Sequence, residues 1–139
     1  MAHDLERFVQ AQAGVYEGAL DELRHGRKTG HWMWFIFPQV AGLGQSSLSR
    51  LYAVGSLAEA RAYLAHPALG PRLHACAEAI LAVPGRSAAE ILGGIDAVKL
   101  RSSMTLFHRA APADGVFARV LDQFFEGTAD EATDAILRC

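Results

Sequence analysis

The chain has little of what marks a specialised class of protein. Two cysteines among 139 residues exclude a disulfide-dense scaffold and a self-contained Cys-rich metal site. With five prolines and 20% charged residues, the composition is neither disordered nor linker-like. A formal net charge of −2 gives no support to a protein that coats nucleic acid through bulk positive charge. No apolar run reaches the roughly 18 residues needed to span a bilayer. The first residues also lack a basic region followed by an apolar stretch, so no secretory signal is expected and the cytoplasm is the expected location.

The short motifs of common enzymes are missing too. The sequence contains no phosphate-binding loop, no His-Glu-x-x-His, no Cys-x-x-Cys and no Gly-x-Ser-x-Gly. Gly42-Leu43-Gly44 begins a dinucleotide fingerprint, but its sixth position is Ser47 and no βαβ unit surrounds it. The histidines at 3, 25, 31, 66, 74 and 108 form no metal-ligand spacing, and no cofactor is implied. Cys76 reads as a small core residue, and Cys139 has no base partner in the sequence.

What the chain does have is alanine: 25 of its 139 residues, a strong prior for short, closely packed helices. A stripe through Leu5, Phe8, Val9, Gln12, Tyr16, Leu20 and Leu23 predicts a helix from Asp4, its cap, to His25, with a break at Gly14 or Gly18. Ser56 with Glu59, Ser87 with Glu90 and Thr128 with Glu131 read as capping boxes. Further helices are predicted over 71–82, burying Leu73, Cys76, Ile80 and Leu81, and over 96–110, capped by Asp96. The expected fold is mainly α, a single compact domain over 1–139 of about seven short helices.

One segment stands apart. His31-Trp32-Met33-Trp34-Phe35-Ile36-Phe37-Pro38-Gln39 holds both tryptophans and two of the seven phenylalanines. It reads either as a short extended segment, apolar on both faces, or as a helical turn ended by Pro38. His31, Trp32, Trp34 and Gln39 are candidates to line a pocket for a planar base, by stacking and an amide hydrogen bond. Core packing is the plainer role for the aromatic rings. Tyr16 is a further ligand candidate, though a core tyrosine accounts for it equally.

A second constellation is Lys99-Leu100-Arg101-Ser102-Ser103, just after Asp96. Lys99, Arg101, Ser102 and Ser103 near a helix start suit a phosphate; solvent-facing cations and small packing serines are the ordinary alternative. Asp96, then Glu59, are the candidate catalytic carboxylates, with Lys99 beside them. Arg27-Lys28 reads as an exposed basic turn, and Asp21-Glu22 as helix-surface carboxylates.

Taken together, the aromatic block with Ala41-Gly42-Leu43-Gly44, the stretch Ala58-Glu59-Ala60-Arg61-Ala62-Tyr63-Leu64, the pattern His66-Pro67-x-Leu69-Gly70-x-Arg72-Leu73, and Lys99 to Phe107 resemble DUF1810, a bacterial domain family of unknown function. The resemblance covers nearly the whole chain and implies a mainly helical domain with no established activity. In that family the turn before the Lys99 helix often carries two acidic residues; here Ala97 stands where the second would be. The aromatic segment and the Lys99 helix are also distantly similar to the NADAR domains, which implies chemistry on NAD- or ADP-ribose-linked N-glycosidic bonds.

Two functional expectations follow. In one, the chain binds or hydrolyses a nucleotide-like or ADP-ribose-like small molecule. In the other, it is a noncatalytic interaction module that docks a partner or a second copy of itself through an exposed apolar patch. Nucleic-acid binding comes third and would need Arg27, Lys28, Arg50, Arg101 and Arg109 to share one face.

Overall fold

The computed structural model describes residues 4–138. His3 and Cys139 lie outside the described residues. Within them the chain forms ten helices and no strand, which corrects the expectation of about seven helices with an optional extended segment.

The first correction is to the cap at the N-terminus, where the expected break falls at Gly14. The stripe from Asp4 to His25 is two helices, α1 (Glu6–Gln12) and α2 (Tyr16–Arg24). Gly14 separates them at φ 75, a left-handed conformation that glycine adopts without steric penalty. Leu5, not Asp4, occupies the cap position of α1, and no side chain caps it.

The aromatic block supplies the second correction. It forms one short helix, α3 (Met33–Ile36), closed by Ile36 N–H to Trp32 O at 3.2 Å and Phe37 N–H to Met33 O at 3.1 Å. Helical spacing buries Trp32, Met33, Ile36 and Phe37 together and leaves Trp34 and Phe35 half-buried. A strand would have needed a hydrogen-bonded partner along its length. The only pairing nearby is a single parallel bridge between Val40 and Val54.

The chain continues through α4 (Ser47–Leu51), α5 (Leu57–Ala65) and α6 (Leu69–Leu81). Pro71 falls in the first turn of α6, where a missing N–H costs no helical bond. Then come α7 (Ala88–Leu92), α8 (Gly94–Ala110), α9 (Gly115–Phe125) and α10 (Glu131–Leu137). The longest helix, α8, is central and packs against α5, α7, α9 and α10. Its stripe of Leu100, Ser103, Met104 and Phe107 is fully buried. Around it Tyr63, Phe107 and Phe117 stack in series, with ring centroids 5.3 and 5.8 Å apart, a spacing at which aromatic pairs attract.

The caps are mixed. Ser87 and Glu90 form a complete capping box on α7. Ser56 caps α5, accepting from Glu59 N–H at 3.1 Å, but the Glu59 carboxylate accepts from Gly55 N–H, so half of the expected box forms. At α10 the cap is Asp130, accepting from Thr133 N–H at 3.0 Å, and not Thr128. Asp96 is not the cap of α8 either: Gly93 holds that position and Asp96 sits inside the first turn.

Two tests follow from this packing. A Cβ on Gly70 would overlap the carbonyl oxygen of Leu64, so Gly70→Ala must push α5 and α6 apart. The expected loss is about 3 kcal/mol, read as a lower midpoint in urea unfolding. Burial pushes the Cys76 thiol up to about 12. In a Cys139→Ser background, the folded protein at pH 8 is therefore expected to be inert to a thiol reagent that reacts on unfolding.

Candidate functional site

The turn after α2 needs an acceptor for its N–H groups, because it is half-buried and belongs to no helix. Glu22, on the last turn of α2, provides it. Its Oε1 accepts from Thr29 N–H at 2.7 Å, Gly30 N–H at 2.8 Å and Trp32 Nε1–H at 3.0 Å. Burial opposes the charge on Glu22, but the hydrogen bonds from Gly30, Thr29 and Trp32 outweigh it and lower the carboxyl below its ordinary 4.5. Glu22 is thus an anchor, where the sequence suggested a surface carboxylate.

The anchored turn presents Lys28 to α8. The Lys28 side chain is only 9% exposed, and its ammonium lies 2.9 Å from Asp96 Oδ2. It also donates to Gly30 O at 2.6 Å and stands 5.1 Å from the centre of the Trp32 ring. The expected exposed basic pair therefore divides: Arg27 is exposed, and Lys28 is half-buried against a carboxylate.

Asp96 meets a second cation. Lys99, one turn further along α8, lies 3.6 Å from Asp96 Oδ1 and 5.0 Å from the centre of the Trp34 ring. Two ammoniums against one carboxylate leave a net positive charge beside an aromatic face. Lys28, Asp96 and Trp34 border a cleft of about 370 Å³, and Lys99 contacts two of them from outside its lining. Met33 and Trp34 form one wall, Leu92 through Ile95 another, and Lys28, His31 and Asp96 supply the polar groups. Gly93 turns the chain from α7 into α8 at φ 93 and ψ 155, a region open essentially to glycine alone.

The remaining sequence candidates lie elsewhere. Trp32 is 2% exposed and forms part of the core beneath the turn. Gln39 is half-buried, with its backbone carbonyl accepting from Val54 N–H at 2.9 Å. Tyr16 packs under the Arg72 guanidinium, 5.2 Å from the ring centre, and burial raises its phenol. Arg101 donates to the carbonyls of Thr128 and Ala129 at 2.9 and 3.0 Å. Ser102 bonds to Val98 O and Asp130 Oδ2, and Ser103 is fully buried. Because an α-helix turns 100° per residue, one run of polar residues sends Lys99 to Asp96 and Trp34, Arg101 and Ser102 to the segment that opens α10, and Ser103 to the core. Glu59, the second carboxylate candidate, accepts from Gly55 N–H at 2.7 Å and lies 3.5 Å from Arg7, joining α5 to α1.

Among the described residues no group of three or more His, Cys, Asp or Glu side chains could hold a metal ion, and no helix is long and apolar enough to cross a membrane. The five cations considered for nucleic acid are divided as well: Lys28, Arg101 and Arg109 are engaged with Asp96, backbone carbonyls and Asp134.

The family model described as a protein of unknown function, DUF1810, matches residues 2–137. The chain belongs to the DUF1810 family. It is 53% identical to the conserved hypothetical protein Rv1873 from Mycobacterium tuberculosis, whose crystal structure superposes with a TM-score of 0.96 over 98% of this chain and 97% of that one. No curated protein matches the chain.

In this DUF1810 chain, Lys28, Glu22 and the Gly93-Gly94 pair are the site residues that reading the sequence missed. One signal was available for Glu22: a carboxylate at a helix end before a turn bounded by Gly26 and Gly30, whose N–H groups need acceptors. Glu22→Ala is expected to destabilise the fold by about 2–3 kcal/mol at pH 7. Since the folded carboxyl titrates below 4.5, that contribution is present above this value and fades as the pH falls below it. Urea unfolding of wild type and variant should therefore converge in acid.

Proposed function

We propose that the cleft at the start of α8 binds a small anionic ligand bearing a planar ring, of the nucleotide or ADP-ribose kind, and that Asp96 acts on its N-glycosidic bond. The observation that carries this reading is that Trp34 and Asp96 both line the cleft and Lys99 stands against both, within 5.0 Å of the ring and 3.6 Å of the carboxylate. An aromatic face stacks a base, an ammonium beside it holds a phosphate or ribose oxygen, and a carboxylate stands where positive charge develops on the ribose carbon. Backbone N–H groups at the start of α8 favour an anion in the same place. The volume of about 370 Å³ suits a nucleoside-sized portion of a ligand, with the remainder extending past His31 at the rim.

The chemistry balances with water alone. As the bond from ribose to base breaks, its electron pair leaves with the base: the pyridinium of NAD departs as neutral nicotinamide with no proton taken up, whereas a purine takes up a proton from solvent. Water adds to the ribose carbon and gives up a proton, which Asp96 is positioned to accept. The distant similarity of the aromatic segment and the Lys99 helix to NADAR domains points to the same bond.

A specific observation favours the docking alternative. Ile95 is 77% and Val98 61% exposed, one turn apart on α8 and next to the cleft. They suit a partner's apolar surface or a second copy of the chain.

Thermal-shift measurements with NAD, ADP-ribose, AMP and nicotinamide separate the two readings. A bound ligand at a hundredfold excess over its Kd is expected to raise Tm by about 9 °C. Trp34→Ala should weaken binding about tenfold, whereas Asp96→Asn, which removes a negative charge, should hold an anionic ligand at least as tightly while losing base release. A Cβ on Gly94 meets nothing within 4 Å, so Gly94→Leu should fold normally yet obstruct the cleft. A flat response to every ligand overturns the proposal; concentration-dependent self-association, abolished by Ile95→Ser, would then support docking.

A further inference from the structure

The Lys28 ammonium is nearly enclosed, and an enclosed charge needs compensation. Its partners are Gly30 O at 2.6 Å, Asp96 Oδ2 at 2.9 Å and the Trp32 ring at 5.1 Å. The backbone that carries it is held from two sides. Glu22 fixes Thr29 and Gly30, and Lys28 N–H itself donates to Ile91 O of α7 at 2.8 Å. The ammonium therefore occupies a fixed point that Asp96 must meet.

Lys99 differs in kind. It is carried by the same helix as Asp96, three residues on, and approaches the other oxygen, Oδ1, at the longer distance of 3.6 Å. The two oxygens of one carboxylate thus have separate partners. Oδ2 is tied to an immobile cation, and Oδ1 faces the cation that stands over Trp34.

We infer that Lys28 is a positioning residue: it holds Asp96 Oδ2 and so presents Oδ1 to the ligand on the Trp34 side of the cleft. This rests on the reading of Asp96 as the acting carboxylate. Lys28 touches no reacting atom in this role; its effect passes through the orientation of Asp96. A purely structural Lys28 would join the turn to α8 and matter only for folding.

The test uses the full chain with Lys28→Met, Lys28→Arg, Asp96→Asn and the Lys28→Met/Asp96→Asn pair. Nicotinamide release from NAD gives kcat and KM, and ADP-ribose titration gives binding. Lys28→Met is expected to lower kcat about 100-fold, the scale of a small misplacement of a reacting group, with a much smaller change in KM. Lys28→Arg should restore part of the rate, and in the Asp96→Asn background Lys28→Met should cost nothing more. Should Lys28→Met not fold, Lys28→Gln, which keeps a donor without the charge, takes its place. An equal loss in both backgrounds, or a change confined to KM, overturns the inference.

The crystal structure of the same Lys28 variant decides the point without any ligand. With the ammonium gone, Asp96 is expected to turn both oxygens toward Lys99; a carboxylate that stays in place overturns the positioning role. If the wild type neither binds ADP-ribose nor cleaves NAD, the reading of the site has failed, and this crystallographic result still settles Lys28.

Discussion

One oxygen atom organises the region around the cleft. Glu22 Oε1 takes three N–H donors from the turn between α2 and α3. A half-buried turn with unpaired N–H groups would be unfavourable by about 1–3 kcal/mol for each one left unsatisfied, so the carboxylate largely determines whether this turn has a single conformation. Because one of those donors is the Trp32 indole, the same atom also sets how the aromatic block enters the core. Lys28 lies inside the pinned segment, and its position against α8 follows from that anchoring.

The cluster of Lys28, Asp96 and Lys99 is hard to explain by stability alone. Ion pairs near a surface contribute on the order of 0–1 kcal/mol, and enclosing an ammonium as fully as Lys28 works against that gain. An apolar residue could fill the same space beside Trp32. Elsewhere the structure uses charge differently. Arg101 and Arg7 direct their guanidinium groups at backbone carbonyls, where each fastens the chain at a helix end. Beside the cleft, side-chain charges face one another next to a half-buried tryptophan.

Local signals in the sequence were legible, and long-range ones were not. Ser87 and Glu90 form their capping box because both partners lie within one turn. At α10 the nearby motif lost to a tertiary one. Asp130 N–H donates to Thr105 Oγ1 at 2.8 Å, and Ser102 Oγ donates to the Asp130 carboxylate, so contacts from α8 select the start of the helix. The aromatic block could not be assigned by period, since six apolar residues satisfy a strand and a helix alike. The lack of a partner strand decided it, which no local pattern contains. Lys28 shows the same limit: a lysine after an arginine in a glycine-bounded turn reads as solvated until Asp96 is brought against it by α8. Of the candidate site residues, His31, Trp34 and Asp96 line the cleft and Lys99 contacts the last two, while the helical twist carried Arg101, Ser102 and Ser103 away from it.

The two carboxylates singled out in the sequence differ in what binds them, and that difference ranks them. Glu59 accepts a backbone N–H from Gly55 and lies beside the Arg7 guanidinium, which also donates to the carbonyls of Leu51 and Ala53. These partners belong to the fold: a ligand that displaced them would have to undo the connection between α4 and α5. Asp96 is held instead by two side-chain ammoniums, one on a rigid turn and one on a flexible stem of α8. Lys99 can leave Oδ1 for a phosphate or ribose oxygen at the cost of a side-chain rotation, with no backbone bond broken. A carboxylate that can exchange one partner while the other keeps it oriented is suited to act on a ligand; one closed by backbone donors is suited to hold a loop.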